Sequence, residues 1–194
     1  MAEKNPKSGR GSLVVRPLLA SLVAAGAAAP IAAPAADNVF LKIPGIAGEA
    51  SDSKHKDEIV LLSYTQSFTN PATVGAGGGA GRVQCGDVKV TKLLDKASPL
   101  LIAGVATGKR YPTAVITFRK AGENPLEYYT VTLTDVFLDS ITQTDASPTD
   151  ATTILEQVSM TAAKFQFKYT PQDEKGGAAG TVQFGWDCAR NRKI

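Results

Sequence analysis

Histidine is almost missing from this chain. His55 is the only one in 194 residues, so neither a pair of imidazole metal ligands nor a redundant imidazole acid–base arrangement can be assembled. Net charge is missing from most of it as well. Lys4, Lys7, Arg10 and Arg16 against Glu3 account for the whole formal charge of +3, which leaves residues 37–194 balanced at zero. A body without basic excess has nothing to neutralise a phosphate backbone, which argues against nucleic acid as a partner. No uninterrupted apolar stretch is long enough to span a bilayer, because Pro30 and Pro34 break the alanine-rich run from Leu18 to Ala36; stable membrane insertion is not expected. There is no G-x-S-x-G nucleophile elbow and no internal repeat. The glycines of VGAGGGAGRV are not followed by the Lys-Ser/Thr pair of a phosphate-binding loop, and Arg82-Val83 opens a strand instead of a helix, so nucleotide binding is disfavoured.

What is present suits one all-β domain after an N-terminal extension. The length and a hydrophobic fraction of 43% allow a single core. Residues 1–36 read as an export signal: a basic start, an apolar stretch, and small residues at Ala33-Pro34-Ala35 that place cleavage near Ala33, Ala35 and Ala36. A disordered Ala/Pro-rich extension, or a start codon set too far upstream, stays open beside that reading. Beyond it, Phe165, Phe167 and Tyr169 alternate with Lys164, Gln166 and Lys168, and Tyr129, Val131 and Leu133 with threonines, as half-buried strands do. Ile59-Val60-Leu61-Leu62 is continuously apolar and predicts a strand covered on both faces, by the core and by a neighbouring subunit. One helix is expected, with Ser98 as N-cap, Pro99 in the first turn, Gly108 as C-terminal cap, and Leu101, Ile102 and Val105 packed inward. Turn chemistry at Gly122-Glu123-Asn124-Pro125, Ser147-Pro148 and Gly176-Gly177 separates the later strands. The expected architecture is a small antiparallel β-barrel or sandwich with one short docked α-helix and a long protruding loop.

That loop, Asn70 to Gly81, is the strongest candidate functional element. It joins two strands that a two-residue turn could close, and its glycines permit close approach of another backbone. Catalysis has little material. His55 lies among Glu49, Asp52, Asp57 and Glu58 in GEASDSKHKDE, which reads as a solvated, turn-forming charge cluster; its spacing does not match an EF-hand, and a metal site is not expected. A trio of Asp, His55 and Ser51 or Ser63 can be drawn, but nothing in the sequence places those groups in one cleft. Cys85 and Cys188 read either as two small buried hydrophobes or, in an oxidising compartment, as a disulfide closing about a hundred residues. Trp186 in FGWDC reads as a core or subunit-interface residue.

Several segments in order, DNVFLKIPGIAGEASDSKHKDEIVLLSY, VGAGGGAGRV, TKLLDKASPLL, GKRYPTAVITFRKAG, LEYYTVTLTDVFLDSI, KFQFKYTPQDEKG and TVQFGWD, resemble the haemolysin-coregulated protein (Hcp) family, the ring subunit of the bacterial type VI secretion tube. The resemblance covers residues 37–194 as one Hcp-like β-barrel domain. It implies a homo-oligomeric ring, hexameric in the family, that stacks into a tube, carries or chaperones effector proteins, works with other type VI components, is secreted, is not an enzyme and needs no cofactor. It further implies that Gly77, Gly78, Gly79, Ala80, Gly81 and Arg82 belong to the ring-stacking loop, and that Thr65 in LSYTQ faces the lumen and its cargo. Tyr64 stands where the family has a larger aromatic, and both cysteines stand where it has aliphatic residues. An exported Hcp-like barrel acting as an extracellular or surface-binding module is the alternative, favoured by the leader, since a tube subunit is expected to assemble in the cytoplasm.

Overall fold

The computed structural model describes residues 38–71, 81–122, 125–145, 154–173 and 176–194. Period-two sequences dominate them, and strands follow. In chain order these are β1 (Asn38–Lys42), β2 (Ile59–Leu61), β3 (Ser63–Thr65), β4 (Phe68–Thr69), β5 (Gln84–Cys85), β6 (Val88–Leu93), helix α1 (Ser98–Thr107), β7 (Arg110–Arg119), β8 (Glu127–Asp145), β9 (Ile154–Tyr169), β10 (Val182–Asp187) and β11 (Arg192–Lys193). The leader, including Ala33, Ala35 and Ala36, lies outside the described residues, as do Gly77, Gly78, Gly79, Ala80 and the Ser147-Pro148 turn.

All pairings are antiparallel. The main sheet runs β11-β10-β9-β8-β7-β1-β2. Strand β9 is long enough to serve two neighbours along one edge: Leu155 to Met160 pair with β6, and Lys164 to Tyr169 pair with β10. Strand β8 lines its other edge over nearly the whole length. Beyond β2 the chain kinks at Leu62 and continues as β3, which pairs with β6. The ladder therefore changes strands at this kink, where the Leu62 N–H bonds the Thr91 carbonyl at 2.7 Å, and the fold is sandwich-like. The sheet does not close into the barrel that the sequence reading offered as one of two forms. Strands β4 and β5 form a separate two-stranded ribbon flanking the long loop.

Alternation carries the core. Leu41, Ile59, Val90, Ile116, Val131, Leu133, Val158, Met160 and Phe165 turn inward and are buried. Each such aliphatic or aromatic side chain contributes about 1.5–3 kcal/mol relative to exposure. The run Ile59 to Leu62 departs from its expected double coverage. Ile59 and Leu61 are buried, but Val60 and Leu62 are 42% and 56% exposed in the single chain.

The helix also departs in two respects. Its buried residues are Ser98, Leu101 and Gly104, with Val105 partly buried against the core, whereas Ile102 is exposed. A Cβ at residue 104 would fall 2.6 Å from Tyr111 Oη and 2.8 Å from Leu138 Cδ1, so glycine is what lets α1 lie on β7 and β8. At the N-terminus Ala97 is the cap residue, and no side chain supplies a capping bond. Ser98 is drawn inward: its Oγ accepts from Lys92 Nζ and the Asp95 N–H and donates to Glu156 Oε2 at 2.6 Å. Gly108 takes the expected left-handed conformation with φ of 59°.

Candidate functional site

Three surfaces carry the residues singled out above. The first is the base of the long loop. Gly81 sits against Pro71, close enough that a Cβ would lie 2.7 Å from the Pro71 carbonyl oxygen. The two described ends of the loop therefore touch, and residue 81 has no room for a side chain. Arg82 reaches the C-terminal turn, donating from Nη2 to the carbonyls of Cys188 and Ala189 at 3.2 and 3.0 Å. Val83 N–H donates to Asn191 Oδ1 at 3.0 Å. The turn is itself pinned by Asp187, which accepts from Arg190 N–H at 2.8 Å; that bond, aided by the Arg190 guanidinium, outweighs burial and holds the Asp187 carboxyl below its usual range. Cys85 in β5 and Cys188, one residue past β10, are joined as a disulfide with Cα atoms 6.3 Å apart. Trp186, nearby and half-buried, stacks on Phe184 and leaves its Nε1 without a partner.

The second surface is the face of β3. Thr65 is exposed and opposite Lys89 of β6. Tyr64 turns the other way, edge-on to Phe118 at 5.3 Å, and donates its hydroxyl to Gln66 Oε1 at 2.6 Å. Burial, with the neighbouring Tyr129 phenol, pushes the Tyr64 hydroxyl well above the ordinary tyrosine range, so it acts as a neutral donor.

The third surface is the outer face of β1 and β2 with the charged segment beside it. GEASDSKHKDE is not the fully solvated cluster its composition predicts. The segment folds back on β1, and the His55 ring, 6% exposed, stacks on Phe40 at 4.4 Å. His55 Nδ1 lies within hydrogen-bond distance of Glu58 Oε2, at 2.9 Å, and Glu127 stands 3.6 Å from Nε2. Lys42 approaches Glu58 at 3.7 Å, Lys96 pairs with Asp57 at 2.9 Å, and Arg119 bonds Asp52. The Lys96 hydrogen bond lowers the Asp57 carboxyl, and the Lys54 N–H, with His55 N–H and Arg119 behind it, lowers that of Asp52. The apolar Phe40 ring under His55 explains why a sequence of charges is partly buried: the imidazole covers an aromatic on the outer face of β1 that water would otherwise meet. His55 is thus a packed, carboxylate-paired group, and the described hydrogen bonds of its ring go to Glu58, not to Ser51 or Ser63. Val60, the cross-strand neighbour of Phe40, is left uncovered by this segment.

One arrangement went unnoticed in the sequence. Lys92 and Glu156 face each other across β6 and β9, both fully buried, with Nζ 2.6 Å from Oε2. Lys92 also meets Asp95 Oδ1 at 2.8 Å and the Leu93 carbonyl, while Gln143 donates to Glu156 Oε1 at 2.7 Å. Burial raises the Glu156 carboxyl, yet the hydrogen bonds from Lys92, Ser98 and Gln143 outweigh it and hold the group below its ordinary value. The local signal was a lone Lys and a lone Glu at inward-facing positions of two alternating strands. Among the described residues no group of three or more His, Cys, Asp and Glu is arranged to hold a metal ion, and no helix is long and apolar enough to cross a membrane.

Fold and surfaces together define an antiparallel, sandwich-like subunit with one docked helix, whose described candidate residues sit on exposed strand faces and a loop base. Residues 40–169 match the family described as "Type VI secretion system effector, Hcp". Protein hcp1 of Pseudomonas aeruginosa is 36% identical over 158 residues, which are 79% of this chain and 96% of that protein. The crystal structure of Hcp1 from Salmonella typhimurium superposes with a TM-score of 0.68 at 33% identity, covering 82% of this chain and 99% of the other. A structure of a type six secretion system protein superposes with a TM-score of 0.76 at 24% identity, covering 82% and 100%, a likeness of fold. The chain belongs to the Hcp family of the type VI secretion system, a family of structural, secreted proteins.

Proposed function

We propose that the chain forms a homo-oligomeric ring, six-membered by its family resemblance, that stacks into the type VI tube and carries effector proteins in its bore. The observation that carries the ring is the outer face of β2 and its kink. Val60 and Leu62 remain 42% and 56% exposed in a segment whose alternate residues are buried, and their β-branched and branched apolar side chains suit burial against a second copy. Thr65, exposed on β3, is the residue proposed to face the lumen. The long loop, with Gly81 and Arg82 at its described base and Gly77, Gly78, Gly79 and Ala80 beyond it, is proposed to meet the next ring.

The test is the pair of substitutions Val60→Lys and Leu62→Lys. Both positions are exposed in the single chain, so circular dichroism is expected to stay unchanged and stability to move by no more than about 0.5 kcal/mol per site. Light scattering is expected to show the ring falling to monomer. A wild-type chain that is monomeric at micromolar concentration, or a double variant that keeps its ring, would overturn the reading.

A second reading, an exported module acting at a surface outside the cell, is favoured by the Cys85–Cys188 disulfide, because such bonds persist in oxidising compartments. Residues 1–36 then act as its signal. The mass of the N-terminus in protein taken from periplasm or medium separates the two: cleavage near Ala35-Ala36 supports export through the leader, and a full-length chain recovered only from cytosol refutes it.

A further inference from the structure

We propose that Cys85 and Cys188 form a reversible thiol–disulfide site that latches the β4–β5 ribbon to the C-terminal turn. The inference does not rest on ring formation. Three observations carry it.

The ribbon is weakly held. It lies outside the main sheet, its ladder pairs only Phe68 with Cys85 and Thr69 with Gln84, and a two-stranded ribbon alone is marginal in water. Its described attachments are the Phe68 ring, edge-on to Phe165 and Phe167 at 5.2 and 5.6 Å, the Arg82 and Val83 bonds to residues 188, 189 and 191, and the disulfide. Phe68 is itself 39% exposed and Arg82 is exposed, while the Val83 bond is part-buried, so most of the non-covalent attachment is within reach of water.

The two cysteines, though packed against the core on one side, are not fully shielded. Both cysteines are only half-buried, and both line an open cleft of about 520 Å³ together with Pro71, Thr161 and Ala189. Structural disulfides that resist exchange are shielded, whereas exposed ones are the labile kind.

The cleft also carries a cation. Arg82 lines it and holds its guanidinium on the Cys188 carbonyl, which favours a thiolate released at that end. A donor thiolate attacks one sulfur, forms a mixed disulfide and expels the other cysteine as thiolate. The donor's second thiol then displaces the remaining sulfur. Two electrons and two protons pass from a dithiol such as dithiothreitol or a CxxC-type oxidoreductase, which leaves as its disulfide; oxidised glutathione reverses the exchange.

Because β4 and β5 flank the long loop, the redox state sets how firmly the loop is rooted. In the oxidised chain the β5 end is tied covalently to the C-terminal turn and the β4 end is held through its pairing with β5; in the reduced chain the ribbon is held by the Arg82 and Val83 hydrogen bonds and one half-covered aromatic ring.

Hydrogen–deuterium exchange on the full chain tests this, comparing protein oxidised with glutathione disulfide, the same protein reduced with dithiothreitol, and a Cys85→Ser, Cys188→Ser variant. Reduction is expected to speed exchange about tenfold at residues 82–86 and 187–191 while the buried β7–β8–β9 ladder keeps its protection, and re-oxidation is expected to restore the slow rate. The serine variant should match the reduced chain and ignore both reagents. Alkylation followed by mass analysis should find both thiols modified without denaturant. Unchanged exchange in the ribbon on reduction, equal acceleration throughout the β7–β8–β9 ladder, or thiols that react only after unfolding would each overturn the proposal.

Discussion

Replacing Lys92 by methionine is expected to be among the most damaging single changes in the described domain, although it swaps a charged side chain for an apolar one of similar length in the core. Lys92 and Glu156 are both fully buried, and Nζ makes bonds to Glu156, Ser98, Asp95 and the Leu93 carbonyl. Methionine leaves the Glu156 carboxylate with only Ser98 and Gln143 as partners. Removing one member of a buried pair costs about 3–5 kcal/mol, a large share of the ~5–15 kcal/mol that stabilises a typical domain. With an m-value near 2 kcal/mol/M, the urea midpoint of the oxidised protein should fall by roughly 2 M with m unchanged. The double variant Lys92→Met, Glu156→Leu should recover at least half of that loss. Ser98 keeps its bond from the Asp95 N–H, and the exposed Gln143 amide turns to water. The coupling across the cycle should therefore be about 2 kcal/mol or more. Acid separates the two states further. In the parent, Glu156 is held below its ordinary value, so its share of stability is complete above the unfolded value of about 4.3 and is lost as pH falls through the folded value. In Lys92→Met the burial that raises the carboxyl acts without its main opponent, so the penalty should be greatest at neutral pH and shrink as pH falls through the raised value toward 4.3. A single variant costing under about 1 kcal/mol, a coupling near zero, or a penalty that grows with acid would refute the reasoning.

Gly104→Ala should destabilise the domain by about 1–3 kcal/mol in chemical denaturation despite alanine's better helix propensity, because the new methyl meets Tyr111 Oη and Leu138 Cδ1 inside van der Waals distance. The same substitution combined with Tyr111→Phe, which removes the nearer atom, should recover part of the loss; no recovery would locate the clash elsewhere.

Much of this protein was legible in its residues because the responsible physics is local. Alternation in β8 and β9 follows from side chains pointing to opposite faces at successive positions, and Phe165, Val131 and Leu133 are buried where that rule puts them. Gly108 ends the helix in a left-handed turn because that cap depends only on the chain around it. Ordered resemblance over residues 37–194 pointed to the Hcp family, which the match over residues 40–169 establishes. Where partners come from distant segments, the residues alone were misleading or silent. Ser98 has the chemistry of an N-cap, but Glu156, 58 positions away, takes its hydroxyl. Charges around His55 read as solvated because nothing local shows that Phe40 lies beneath the ring. Val60 and Leu62 read as covered because a run of apolar residues does not distinguish core from outer face, and only the path of the sheet shows which two of the four are left bare. Composition, periodicity and turn chemistry decided that the described residues would form antiparallel β structure with one short helix. Tertiary structure decided which charges are buried in pairs, that Cys85 and Cys188 meet across 103 positions, and which apolar strand face remains uncovered, since each depends on long-range register that no local window contains.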